Sequence, residues 1–180
     1  MKKAEKRPRF SPKEMTMLAM LIALNVIMAE VLKFPIVPKA IELSFGFVPI
    51  AVAGMRYGRM SAITVAVVAD IIGALIFNAG IFHFGFTLTA LCTGAFYGFF
   101  LHKPALTRGK QIQSCILAQL CVSFSCFALL NSFWVATSFG VPFGEYFTTR
   151  FIVNLVAFPV YTFVLYLIGC KRKVLSQFVK

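Results

Sequence analysis

Polar side chains inside apolar runs are the residues of this sequence that could do chemistry. Asp70 lies near the middle of the apolar run Met60–Phe77, and its neighbours at helical spacing, Ala66 and Gly73, are small. An ionisable side chain at that depth is costly in a membrane, and small residues mark close helix packing. We therefore expect Asp70 to face protein or a cavity, where it either binds a solute or stabilises a neighbouring helix.

Two further polar pairs follow helical spacing in later runs. Arg150 and Asn154 are four residues apart, and Asn131 and Trp134 are three apart, so each pair shares one helix face. A guanidinium can bind a carboxylate with two parallel hydrogen bonds, although an arginine at this depth can also extend to lipid headgroups. A tryptophan there either stacks on a solute or belongs to the interfacial aromatic belt.

Glu30 and Lys33 end the first apolar run. Their spacing allows an ion pair along a helix, and the alternative is that they line a vestibule. The stretch Phe77–Thr89 is rich in glycine and aromatic residues, and its uncharged loop over residues 78–82 could cover a pocket or form a plain tight connection.

The elements that position these residues follow from composition. Of the 180 residues, 59% are hydrophobic and 13% are charged, whereas soluble domains have about 45–50% and about 25%. A membrane-spanning helix needs roughly 20 mainly apolar residues. The runs lack the alternation of barrel strands, so we expect an all-α integral membrane protein, a compact bundle of six transmembrane helices. The six runs are Met15–Leu32, Ile41–Tyr57, Met60–Phe77, Phe84–Leu101, Ile112–Phe139 and Tyr146–Gly169.

The distribution of basic residues predicts the orientation. The net charge is +12, and of the 18 Lys and Arg residues only Lys33, Lys39 and Arg150 fall on one side of the predicted membrane. The positive-inside rule then places both termini in the cytoplasm. We expect a basic cytoplasmic tail at 1–13, a membrane domain at 14–170 and a second basic tail at 171–180. This pattern explains the charge without nucleic-acid binding.

Several kinds of chemistry are missing from the sequence. It has no phosphate-binding loop motif, so the chain alone does not use ATP, and it has no zinc-protease or serine-hydrolase motif. The five cysteines form no C-x-x-C pair, which favours free buried thiols over a metal site. We expect no catalytic residues, no metal and no cofactor. The polar groups in the predicted outer half suggest instead a solute pocket suited to a flat heteroaromatic acid.

Particular stretches then resemble a known family. Ala19 and Ala23 in the first run form an Ala-x-x-x-Ala motif that resembles the docking motif of S components, the substrate-binding subunits of energy-coupling factor (ECF) vitamin transporters. Other stretches are similar to the folate-specific S components, with departures at Glu30, Val153 and His83. The similar stretches are FGFVPIAVAGMRYG (Phe45–Gly58), Asp70 with Gly73, GFTLTA (Gly85–Ala90), Asn131 with Trp134, and Arg150 with Asn154 and Pro159.

This resemblance implies a function. It implies a high-affinity binding subunit for folate or a related pterin in the bacterial plasma membrane, coupled through Ala19 and Ala23 to a transmembrane subunit and two partner ATPases. Asp70 or Asn131 would pair with the amino and amide edge of the heterocycle. The rest of the implied site consists of Trp134 and Phe84 as ring walls, Arg150 and Asn154 as carboxylate ligands, and His83 and Thr87 beside them.

Other functions remain open at this point. The chain could be an S component for a different vitamin, with Glu30 and His83 contributing to its specificity. It could also be a standalone channel or secondary transporter, or a membrane enzyme. Association with coupling proteins, and transport without any ATPase, would distinguish these alternatives.

Overall fold

The computed structural model describes residues 11–37, 41–77, 83–102 and 108–170. The tails at 1–10 and 171–180, and the loop at 78–82, lie outside the described residues. The described part consists of helices and one short hairpin. The helices are α1 (Pro12–Val26), α2 (Phe47–Tyr57), α3 (Arg59–Phe77), α4 (Phe84–Leu101), α5 (Arg108–Cys121), α6 (Asn131–Phe139) and α7 (Phe143–Cys170), with π-helical segments at Ile27–Val31 and Val122–Leu130.

The two π-helical segments continue neighbouring α-helices. Ile27–Val31 extends α1, and Val122–Leu130 joins α5 to α6 without a break. The first apolar run is therefore one helical element from Pro12 to Val31, as the sequence predicts. The N-terminus of α1 is capped where the backbone N–H of Ser11 donates to Glu14 Oε2 over 2.8 Å, which satisfies a group that the helix itself leaves unpaired.

The second apolar run is not one continuous helix. Its first residues form strand β2 (Ile41–Ser44), which pairs antiparallel with β1 (Lys33–Val37), and the helix α2 begins only at Phe47. The sequence expectation of a single element over Ile41–Tyr57 was wrong in this respect. Pro49 lies in the first turn of α2, where its missing N–H costs no helical hydrogen bond.

Small residues let α2, α3 and α4 approach closely. A Cβ added to Gly54 of α2 would lie 3.1 Å from the backbone nitrogen of Gly98 in α4, and one added to Gly94 would lie 2.7 Å from the carbonyl oxygen of Ala62 in α3. Such contacts between backbones replace the hydrophobic driving force that is missing between helices in lipid. They hold α3 beside α4, the two helices that carry Asp70 and Thr87.

A buried polar chain links α4 to the helix that follows it. The Tyr97 hydroxyl donates to Gln119 Oε1 over 2.8 Å, and the Gln119 amide donates to Ser123 Oγ over 2.9 Å. All three side chains are fully buried. Because each of these buried polar atoms has a hydrogen-bond partner, the chain avoids the penalty of unsatisfied polar groups in a low-dielectric interior.

The predicted membrane class is confirmed. Five helical elements in the described residues are long and apolar enough to cross a membrane, and large apolar side chains such as Val156 of α7, 70% exposed, face outward. The sixth helix, α2, has 11 residues, fewer than the roughly 20 of a full span. The count of six spans and the side of the termini therefore stay predictions.

Candidate solute-binding site

A cavity of about 200 Å³ opens among α1, α2, α3, α4 and the π-helical segment before α6. Its walls combine carboxyl, amide and hydroxyl groups with aromatic and small apolar side chains. This mixture is typical of a small-molecule site, in which a few placed polar groups fix the ligand in an apolar pocket. The polar side chains that line it are Asn25, Glu30, Ser44, Asp70, Thr89, Thr93 and Asn131.

Asp70 lies on α3, half-buried in the cavity wall. Ala66 and Ala69 of the same helix also line the cavity, and their small side chains leave room beside the carboxylate. The Thr87 hydroxyl of α4 donates to Asp70 Oδ2 over 2.7 Å. The structure thus places Asp70 against protein and a cavity, as the sequence predicts, and Thr87 fixes the direction of its carboxylate.

Glu30 is a second carboxyl group in the cavity wall. It lies on the π-helical end of α1, and its Oε1 would be 3.3 Å from a Cβ added to Gly73. Gly73 is one helical turn from Asp70, and Glu30 is close enough to Asp70 for the two carboxyl groups to interact electrostatically. Glu30 thus lines the cavity, and its pairing with Lys33 stays a prediction, since the side chain of Lys33 lies outside what is described.

Two amides and two threonine hydroxyls add to the polar lining, together with the hydroxyl of Ser44. The buried Asn25 amide donates to the Gly46 carbonyl, while Asn131 begins α6 at the cavity wall. Thr89 Oγ1 donates to the Gly85 carbonyl over 3.1 Å, and Thr93 Oγ1 donates to the Thr89 carbonyl over 2.9 Å. Because each threonine proton is used within α4, the oxygens can only accept hydrogen bonds from a ligand.

Trp134 of α6 and His83, the residue before α4, form an aromatic group beside the start of α4. The indole ring of Trp134 lies against Gly85, where any added Cβ would overlap it. The His83 ring is 5.8 Å from the Trp134 ring, and its Nδ1 accepts a hydrogen bond from the Gly85 N–H over 3.1 Å. The indole Nε1 of Trp134 is buried with no hydrogen-bond partner among the residues described.

Arg150 and Asn154 lie on α7, outside the cavity wall. Both Nε and Nη2 of Arg150 donate to the Tyr146 hydroxyl, over 3.1 and 2.7 Å, and the Asn154 amide donates to the Arg150 carbonyl over 2.9 Å. Further along α7, the ring of Tyr161 packs at a tilt against that of the cavity residue Phe47, with 4.6 Å between ring centroids.

The aromatic walls differ from the sequence expectation. Phe84 is 72% exposed and does not reach the cavity. Phe86, two residues further along α4, and Phe127 of the π-helical segment line the cavity instead. Successive side chains on a helix point about 100° apart, so Phe84 and Phe86 face different directions. Their order in the sequence does not show which of the two faces the cavity.

Comparison with known proteins decides the class of this cavity. The model of the family "ECF transporter, substrate-specific component" matches residues 13–170. The chain belongs to this family. The whole cavity falls within the matched range, so the cavity is part of an S component, a subunit of a membrane transporter.

Individual relatives of this S component agree in length and shape. The folate transporter FolT of Clostridium novyi is 28% identical over 152 residues, covering 84% of this chain and 85% of the relative. That of Streptococcus mutans is 29% identical over 157 residues, covering 86% and 84%. A solved structure described as FolT bound with folic acid matches with a TM-score of 0.75 at 27% identity, covering 89% of this chain and 95% of that one.

The S component also exposes the residues expected to dock on a partner. Ala19 and Ala23 both lie exposed on α1, one helical turn apart, each followed by an exposed side chain, Met20 and Leu24. Small side chains at this spacing leave a shallow groove into which another helix can pack. Docking through this face stays a prediction.

Sequence reasoning missed several lining residues, among them Asn25, Phe86 and Phe127. Asn25 could have been found, because an amide inside the apolar run Met15–Leu32 is as costly as the polar groups that were noticed. The two phenylalanines could not, because the chain has 21 of them and only their packing shows which ones face the cavity.

Proposed function

We propose that this S component binds folate or a related pterin as the substrate-specific subunit of an ECF importer. The observation that carries the proposal is the Asp70–Thr87 pair at the wall of the cavity, in a chain that matches a folic acid-bound FolT along nearly its whole length. A carboxylate beside aromatic walls suits the amino and amide N–H groups along one edge of a pterin ring.

The size of the cavity fits one end of the ligand. Its volume of about 200 Å³ is below the range of roughly 300–1,000 Å³ that encloses a drug-sized molecule. The pterin ring therefore occupies the enclosed part, between Phe86 and Phe127, with Asn131 at its edge. The acidic tail extends past Phe47 and Tyr161 towards Arg150, whose guanidinium binds a carboxylate. Trp134 of α6, with His83 beside it, supports the start of α4 from outside the cavity wall.

Transport in this proposal depends on partners. The chain docks through the groove at Ala19 and Ala23 on a coupling subunit in the bacterial plasma membrane, and two ATPases supply the energy. Alone, the S component binds its vitamin but does not transport it. The sequence agrees, since it carries no phosphate-binding loop.

The direct test is a calorimetric titration of folate into the purified, detergent-solubilised chain. We expect tight one-to-one binding, and at least about tenfold weaker binding by the Asp70→Asn variant, because one oxygen that accepts hydrogen bonds from the ligand becomes an amide. No heat from a sample that unfolds cooperatively on heating would overturn the proposal. Titration with other vitamins would then identify the ligand.

A further inference from the structure

The amide of Asn25 has a fixed orientation in the cavity wall. This side chain lies on α1, is 6% exposed, and donates from Nδ2 to the backbone carbonyl of Gly46. A carbonyl can only accept a hydrogen bond, so the nitrogen of the amide and not its oxygen must face Gly46. Turning the amide over would set two oxygens against each other in a buried place and leave both unsatisfied.

The backbone of Gly46 is itself held close to α1. A Cβ added to Gly46 would lie 2.8 Å from the Cβ of Ala29, which follows Asn25 by one helical turn. Gly46 precedes α2 directly, and all three residues line the cavity. The contact between α1 and the start of α2 therefore sets the polarity of the Asn25 amide before a ligand arrives.

Side-chain N–H donors are scarce in this cavity. Among the described side chains of its wall, only the amides of Asn25 and Asn131 carry N–H groups. Thr89 and Thr93 use their protons on carbonyls within α4, and the carboxylate of Asp70 accepts. An amide nitrogen has two protons and Gly46 takes one of them, so Asn25 keeps one N–H for an acceptor on the ligand.

A pterin ring carries a matching acceptor at C4. Along one edge of the ring the amino group at C2 and the N–H at N3 are followed by the C4 carbonyl oxygen, which can only accept. If Asp70 pairs with the two donors, the oxygen comes next along the edge and needs a donor. Asp70 and Asn25 line one cavity of about 200 Å³, so a single ring can contact both.

The group at C4 decides whether this contact forms. A 4-amino ring carries an NH2 group where folate has the oxygen, and that group would meet the fixed N–H of Asn25 donor against donor. A site built to hydrogen-bond one group discriminates strongly against an analogue that lacks it, because the buried partner is left unpaired.

We propose that Asn25 is a specificity-determining residue that donates a hydrogen bond to the C4 oxygen of the ring and so makes this S component select 4-oxo over 4-amino pteridines. The inference rests on the proposed function, since it requires a pterin ring in the cavity. Asn131 does not share this role. It is half-buried, and no hydrogen bond among the described residues fixes the direction of its amide.

The test compares folic acid with aminopterin, its 4-amino analogue with the same tail, by calorimetric titration into the purified, detergent-solubilised chain. The wild-type chain should bind folic acid at least about tenfold tighter, about 1.4 kcal/mol. Aminopterin also lacks the hydrogen at N3, so the contribution of Asn25 is measured as the change in this ratio. Asn25→Leu, which has no N–H, should lower the ratio at least about fivefold.

Two further variants make the comparison specific. Asn131→Leu is the matched control, an amide removed from the same cavity, and it should keep the wild-type ratio whatever its affinity for each ligand. Asn25→Ser has a hydroxyl that can rotate to donate or to accept, so it should lower the ratio as Asn25→Leu does. It replaces Asn25→Leu if that variant does not unfold cooperatively on heating.

The outcomes separate this inference from the function on which it rests. If the wild-type chain binds both ligands with equal affinity, folate binding stands and the role of Asn25 is overturned. The role is also overturned if the Asn25 variants keep the wild-type ratio, or if Asn131→Leu lowers it equally. If the folded wild-type chain binds neither ligand, the proposed function fails and this inference fails with it.

Discussion

The hydroxyl of Thr87 donates a hydrogen bond to Asp70 over 2.7 Å and so joins α4 to α3 at the wall of the cavity. Both residues sit on helices held in contact by Gly94, where any larger side chain would meet the backbone of α3. The carboxylate that faces the cavity is thus fixed by a neighbouring helix before any ligand arrives. Such preorganisation reduces the entropy that a ligand must lose on binding.

Replacing Thr87 with valine should weaken folate binding by about fivefold to tenfold. Valine keeps the shape of threonine but removes the donor, so Asp70 is no longer held towards the cavity, and a hydrogen bond to a charged group contributes about 1.5–3 kcal/mol. Calorimetric titration measures the change, and Thr87→Ser, which keeps the hydroxyl, is the control. Equal affinity of Thr87→Val and wild type would show that Asp70 needs no support from α4.

Replacing Gly85 with alanine should displace the Trp134 indole and lower both folate affinity and the melting temperature. The added methyl group would overlap the ring at the start of α4, and forced overpacking costs about 1–3 kcal/mol. Gly144→Ala is the matched control, since a Cβ at Gly144 meets nothing within 4 Å and alanine favours a helix. Thermal unfolding with and without folate distinguishes the two variants. A Gly85→Ala protein that behaves like Gly144→Ala would contradict the described packing of Trp134.

The sequence predicted the helices better than the loops between them. Long apolar runs give the bounds of α3 and α4 to within one residue, and those of α7 and of the first helical element (Pro12–Val31) to within three, because only a helix satisfies its own backbone in lipid. The hairpin of β1 and β2 was missed because Ile41–Ser44 is short and joins α2 in one apolar run. Its strands are stabilised by pairing with each other, which residue type along a single run does not reveal.

The site was predictable where a polar side chain stands in an apolar run. Asp70 and Asn131 were identified by that signal, and both line the cavity. Arg150 and Trp134 gave the same signal but lie outside the cavity wall, because helical spacing gives a shared face and not the direction in which that face points. The position of Glu30 beside Gly73 depends on contact between α1 and α3, which no local pattern in the sequence specifies.

Replacing Arg150 with glutamine should weaken folate more than a pterin that lacks the glutamate tail. If the tail reaches Arg150, folate should lose about tenfold or more in affinity while the tail-free pterin stays within about twofold. The folate affinity of Arg150→Lys should lie between those of the wild type and Arg150→Gln, because lysine keeps the charge but not the two-pronged geometry. Parallel titrations of both ligands measure how much affinity each of them loses. An equal loss for both would mean that Arg150 supports the fold of the site and does not bind the tail.

Replacing Gln119 with leucine should destabilise the chain by about 2 kcal/mol, because it leaves the Tyr97 hydroxyl buried without an acceptor. The double variant Tyr97→Phe, Gln119→Leu should recover part of that loss, since removing both partners leaves no unsatisfied group between them. Thermal unfolding in detergent compares the variants by a double-mutant cycle. A double variant whose loss of stability exceeds the sum of the losses in the two single variants would contradict this account.

Replacing Ala19 and Ala23 with tryptophan should abolish association with the coupling proteins and leave folate affinity unchanged. Both alanines lie on the exposed face of α1 and outside the cavity wall, so large side chains there fill the groove without touching the ligand. The matched control is Val156→Trp, a bulky change on the outward face of α7, which should keep both activities. Co-purification with the coupling subunit and the ATPases measures association, and titration with folate then measures ligand affinity. Association that survives the double change would place docking on another face, whereas loss of folate binding would show that the exposed face of α1 also supports the cavity.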